Sequence, residues 1–249
     1  MKKALGFSLK MLPFALLGGV LVGMYTFEYY TADMRELLLQ QIGNYKMYLL
    51  ICATQSVVYG LFCSFFGFIL SNKIGLLKPL HFEKKTVLWV SGITAILGIL
   101  FASDYWIFGS FLPEVAAEYD KGISSAYFFG SLIYGGIIEE LMMRFFLMSL
   151  LVLLLWKVAA RTYCKESIPE WIFITANVCT ALLFAAGHLP TTISLFGRLT
   201  PLVVFRCFLL NGSFGLVFGR FYRKYGIQYA MLCHFGCHLV SKLILLTVL

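Results

Sequence analysis

Three short clusters place acids, a base and histidines inside stretches that otherwise read as lipid-soluble helix: Glu139-Glu140-Leu-Met-Met-Arg144, Phe184-Ala-Ala-Gly-His188 and His234-Phe-Gly-Cys-His238. An ionisable side chain at membrane depth costs roughly 2.5–3.5 kcal/mol on insertion scales, so such groups persist where they pair with one another around a site. Carboxylate and imidazole are the groups that activate water and stabilise a developing oxyanion in acyl transfer. At membrane depth the same groups also mark ion paths.

The spacing assigns different parts to the two acids. Glu140 and Arg144 stand at i,i+4 with the acid on the N-terminal side, the favourable orientation for a helical ion pair. Glu139 lies about 100° round the helix from Glu140, which leaves it for chemistry while Arg144 neutralises its neighbour. Phe184 and His188 repeat the i,i+4 spacing, so the ring can pack on the imidazole, and Pro190 soon bends or ends that helix. His234 and His238, again one turn apart, can donate to an oxyanion or, with His188, hold one divalent metal such as Zn²⁺.

The elements that carry these clusters are membrane spans. The 249 residues are 60% hydrophobic and 13% charged, against about 25% charged in soluble domains. The net charge of +8 does not point to nucleic acid, because the basic residues sit in short connections between apolar runs, where topology signals belong. Seven cysteines, an odd number, lie mostly inside apolar runs, which argues against a disulfide framework. Three residues, where c-type haem attachment needs two, separate Cys233 from Cys237.

Runs near the length of about 20 apolar residues that a span needs fall at roughly 11–28, 47–71, 86–110, 123–156, 171–189, 200–220 and 226–248. The fold class is therefore all-α, a polytopic transmembrane helical bundle of seven spans, or eight if the long fourth run splits, with the site between helices of the C-terminal half. Residues 1–249 read as a single integral membrane domain. No cleavage site follows the first run, which reads as an uncleaved span, and 28–46 reads as an interfacial amphipathic helix. Lys2, Lys3 and Lys10, the lysines from Lys73 to Lys85, Lys157 to Lys165, and Arg220 to Lys224 alternate with base-poor connections. The positive-inside rule then puts the N-terminus in the cytoplasm. Arg206 and Lys242 read as long side chains that snorkel to an interface.

The succession Glu-Glu-x-x-x-Arg, Phe-x-x-x-His and His-x-x-x-His resembles the CAAX protease and bacteriocin-processing family of intramembrane endopeptidases, over roughly 125–240. The resemblance marks 122–249 as the catalytic segment. It implies Glu139 as general base, His188 as its helper in activating water, His234 as oxyanion donor, and Glu140, Arg144 and Phe184 as support. His238 departs from the family pattern, which most often has Asn there. An imidazole N–H can still donate, but the extra histidine keeps a metal-dependent version open. The implied partners are membrane lipids and a peptide or membrane-protein substrate, and the short chain points to a bacterial plasma membrane. The competing readings are a metal-ion or proton transporter and a catalytically inactive binding or immunity protein. Depth is one constraint on all of them. Counted at about 1.5 Å per residue from the base-rich ends, Glu139 and His188 come out about 25 Å deep and His234 about 12 Å, so the helices must bring them to one level.

Overall fold

The computed structural model describes residues 1–248, and no strand occurs among them. Helix α1 (Lys2–Tyr29) is followed by the short α2 (Ala32–Ile42) and by α3 (Tyr45–Lys73) and α4 (Lys84–Ala102). Two short helices, α5 (Asp104–Ile107) and α6 (Pro113–Tyr119), lead to α7 (Ser125–Gly130). That helix continues without interruption through two wide π-helical stretches, π1 (Ser131–Glu139) and π2 (Leu141–Met148), into α8 (Ser149–Ala159). Then come α9 (Glu170–Gly187), α10 (Leu189–Phe196), α11 (Pro201–Cys207), a third wide stretch π3 (Phe208–Gly212), α12 (Ser213–Tyr225) and α13 (Ile227–Val248).

Among the described residues, seven helical runs are long and apolar enough to cross a membrane: Lys2–Tyr29, Tyr45–Lys73, Lys84–Ile107, Ser125–Ala159, Glu170–Phe196, Pro201–Tyr225 and Ile227–Val248. These are the seven runs expected from composition. The fourth does not split into an eighth. Where Gly135-Gly136 could have kinked it, the helix widens instead. Wide turns keep every backbone group bonded within the run, as an apolar surrounding requires.

Burial is inverted relative to a soluble bundle. The buried residues of α3 include Ala53, Ser56, Gly60, Cys63, Ser64, Gly67 and Ser71, whereas Leu50, Ile51, Val58, Phe62 and Phe66 are exposed. Large apolar side chains face outward toward lipid, and small ones let helix backbones approach. Hydrogen bonds cross the α1–α3 contact from Ser56 Oγ to the Ala15 carbonyl at 2.7 Å and from Ser64 Oγ to Ser8 Oγ at 2.8 Å. The run from α7 to α8 lies against α1, α3, α9, α12 and α13, and α13 lies between that run and α4. Gly136 makes the π1–α13 contact possible. A Cβ there would stand 2.7 Å from the Phe235 Cα.

The amphipathic stretch folds as α2, capped by the Thr31 hydroxyl and ended by Gly43 at φ 101°, with no buried residue. Arg206 does not snorkel. It forms an ion pair with Asp104, whose side chain is fully buried and also accepts a hydrogen bond from the Tyr119 hydroxyl at 2.7 Å. A partner 102 positions away neutralises the guanidinium, which removes the reason to reach for water. The pair pins α5 and α6 over α11, above a small cluster of Phe108, Leu112, Val115 and Val203. Breaking one side of such a pair strands the other charge, at a cost of about 3–5 kcal/mol. Asp104→Ala is expected to lower the thermal midpoint in detergent, and adding Arg206→Met to recover most of that loss.

Candidate active site

Glu140 lies at the break between the wide stretches π1 and π2 and is fully buried. Its Oε1 accepts from Arg144 Nη1 at 2.9 Å, the i,i+4 ion pair read from the sequence. The same oxygen accepts from His234 Nδ1 at 2.8 Å, which joins the acid-bearing run to α13. Depth counting placed the two clusters at different levels, but they touch. The fourth run has 35 residues, about 15 more than a span requires, so counting from its end overstates the depth of the acids.

Two phenylalanines hold the arginine and two of the histidines. The Arg144 guanidinium sits 4.5 Å from the Phe184 ring centre and 5.3 Å from that of Phe218. Phe184 meets the His188 ring edge-on at 4.6 Å, as its spacing predicted, and the His234 ring at 5.9 Å. Phe218 stacks on His234 at 4.4 Å. The sequence gives Phe218 no distinguishing mark, since it is one of 24 phenylalanines.

Each of the three histidines His188, His234 and His238 has its Nδ1 engaged, and the partner bears on which way the ring works. His188 caps the end of α9, with Pro190 in the first turn of α10, and its Nδ1 lies 2.8 Å from the Phe184 carbonyl. A carbonyl only accepts, so Nδ1 carries the hydrogen and Nε2 has a free lone pair when the ring is neutral. His234 donates from Nδ1 to a carboxylate in the same way. His238 is the reverse case. Its Nδ1 lies 3.3 Å from the Nζ of Lys242, a donor. His234 and His238 stack with ring centres 4.9 Å apart. Both Nε2 atoms point to Gly135, where an added Cβ would stand 2.9 Å from that of His238 and 3.8 Å from that of His234.

Lys242 therefore does not snorkel either. It is 2% exposed, one turn beyond His238, and its ammonium sits 4.4 Å from the centre of the Tyr127 ring. The series 234, 238, 242 was the signal in the sequence, with a lysine continuing the histidine stripe. Glu139 is half-buried and makes no hydrogen bond among the described residues. Asn211 serves its own helix, donating to the Cys207 carbonyl at 3.0 Å.

Glu139 is a carboxylate without a hydrogen-bond partner among the described residues, and His188 and His238 each have one ring nitrogen engaged and one left over, groups of the kinds that can move a proton or meet a developing charge. It suits a metal poorly. Among the described residues no group of three or more His, Cys, Asp or Glu side chains is placed to hold one. Of the proposed ligands His188, His234 and His238, the last has a lysine against it, so the zinc alternative finds no support in the donor set.

Residues 122–240 match the family model described as Type II CAAX prenyl endopeptidase Rce1-like, a span that contains all three clusters and ends short of Lys242. No curated protein and no solved structure matches the chain. The order Glu-Glu-Arg, Phe-His, His-His and the seven spans agree with this match, and residues 122–240 are similar to the Rce1-like type II CAAX prenyl endopeptidases.

Proposed function

We propose that the chain is an intramembrane endopeptidase that cleaves a peptide bond of a membrane-associated protein or peptide with a water activated by glutamate and histidine, and without a metal. It acts as one integral membrane unit with its N-terminus in the cytoplasm, and 122–249 carries the chemistry. The observation that carries this reading is the single Glu140 oxygen shared by Arg144 and His234. It locks the acid-bearing run to the histidine-bearing helix, leaving Glu139 and the two remaining histidines to act on a substrate.

In this reading Glu139 takes a proton from water, and His188 Nε2 accepts the other water hydrogen and orients the attack. The oxygen of the scissile carbonyl gains charge as the tetrahedral intermediate forms. His238 donates to it from Nε2. His234 adds a second hydrogen bond to it when both ring nitrogens carry hydrogen, its Nδ1 being held by Glu140. The intermediate collapses when protonated Glu139 passes its proton to the leaving amine. Arg144 pairs with Glu140 and holds it in place. Its planar group, flanked by Phe184 and Phe218, does so in a geometry that lysine does not reproduce.

The test is cleavage of quenched fluorogenic membrane peptides, with and without a prenyl group, by purified protein in liposomes. Glu139→Gln is expected to lower turnover by about 10²–10⁴, the usual contribution of a general base, with the thermal midpoint unchanged. Full activity in that variant would end the proposal. His238→Asn, which substitutes an amide donor for an imidazole donor, is expected to keep turnover within about tenfold of wild type, whereas His238→Ala loses about 10²–10³. Cleavage should survive chelation in wild type and in His238→Asn; abolition by chelator and recovery on adding Zn²⁺ would establish the metal-dependent route instead.

A further inference from the structure

We infer that Lys242 is a positioning residue for the reaction: its ammonium holds the His238 imidazole in the tautomer that carries hydrogen on Nε2. The inference rests on the endopeptidase reading for its catalytic consequence, but not for its structural content.

A neutral imidazole donates from one nitrogen and accepts at the other, and its surroundings decide which. Lys242 Nζ stands 3.3 Å from His238 Nδ1, one helical turn along α13. As an ammonium, which has three hydrogens and no lone pair, Lys242 makes His238 accept at Nδ1 and carry its hydrogen on Nε2. The rings around Nζ suit a cation. Tyr127 lies 4.4 Å and Phe101 5.9 Å from it by ring centre, within the range of cation–π attraction. No carboxylate pairs with Lys242 among the described residues, and His238 is its one hydrogen-bond partner there. The buried lysine therefore has no ion-pair role to explain it. At the far end of the ring, Nε2 faces Gly135 beside Nε2 of His234, where the proposed oxyanion donors converge. His188 is set the opposite way by a carbonyl. Without Lys242, the position that most often has Asn in the resembling family would hold a ring free to present a lone pair, which repels a developing negative charge, in place of a hydrogen.

Two measurements test this. The first reads the tautomer in the wild-type protein by long-range proton–nitrogen correlation on histidine labelled with nitrogen-15, with His238 assigned by its loss in His238→Asn. Nδ1 without hydrogen and Nε2 with it is the expected result; hydrogen on Nδ1 overturns the inference. The second is kinetic. Lys242→Met is expected to lower kcat at least about tenfold, toward the 10²–10³ of a lost oxyanion donor, with KM changed less than about twofold. Measured against His238→Asn, whose amide needs no tautomer set, the same substitution should show no loss. An equal loss in both backgrounds, or none in either, overturns the inference, because a merely structural lysine would be missed whatever stood at 238. If wild type cleaves none of the peptides, the endopeptidase reading fails while the nitrogen measurement still decides the assignment of Lys242.

Discussion

A carboxylate held away from water is the constraint around which this molecule is arranged. Glu140 has no exposed surface, and an isolated charge in such a place would shed its ionisation or unfold its surroundings. It persists because two donors from different parts of the chain meet on one oxygen, Arg144 from its own helix and His234 from a helix 94 positions later. Each of those donors needs support in turn, and the same two aromatic rings give it to both. The positions of α9, α12 and α13 around the fourth run follow from the need to complete this set.

The remainder of the bundle meets a different demand. Helices in lipid gain nothing by hiding leucine, so the contacts are made by what is small. Gly136 against Phe235 and the serines of α1 and α3 show it. Such contacts are close and directional, and they fix helix positions more finely than an oily core would. That accuracy matters for a site whose hydrogen bonds tolerate only a few tenths of an ångström.

Hydrophobic run length revealed all seven spans, because span length is imposed by the bilayer and is local in the chain. The Glu140–Arg144 pair and the Phe184–His188 contact were legible for the same reason: helical spacing is local. Nothing local announces that Glu140 also belongs to His234, or Asp104 to Arg206. Depth counting misjudged the first because it assumed that a helix stops where the membrane does. The snorkelling rule misjudged Arg206 and Lys242 because it reads a basic residue by its position near a helix end, whereas partners from elsewhere in the fold decide whether that residue seeks water.

The paired faces of Phe184 and Phe218 have a consequence of their own. A ring face attracts a cation and lies flat against an imidazole, yet it offers no lone pair or acidic hydrogen that could turn toward a new charge. The groups enclosed between the rings have only one another as partners. In the endopeptidase reading, when negative charge grows on a bound carbonyl, little in that surrounding can swing round to meet it, and little needs to if the donors already face it. In water most of the cost of such a step is the reordering of solvent. In the endopeptidase reading that reordering is completed when the chain folds, and the energy for it comes from packing rather than from the reaction.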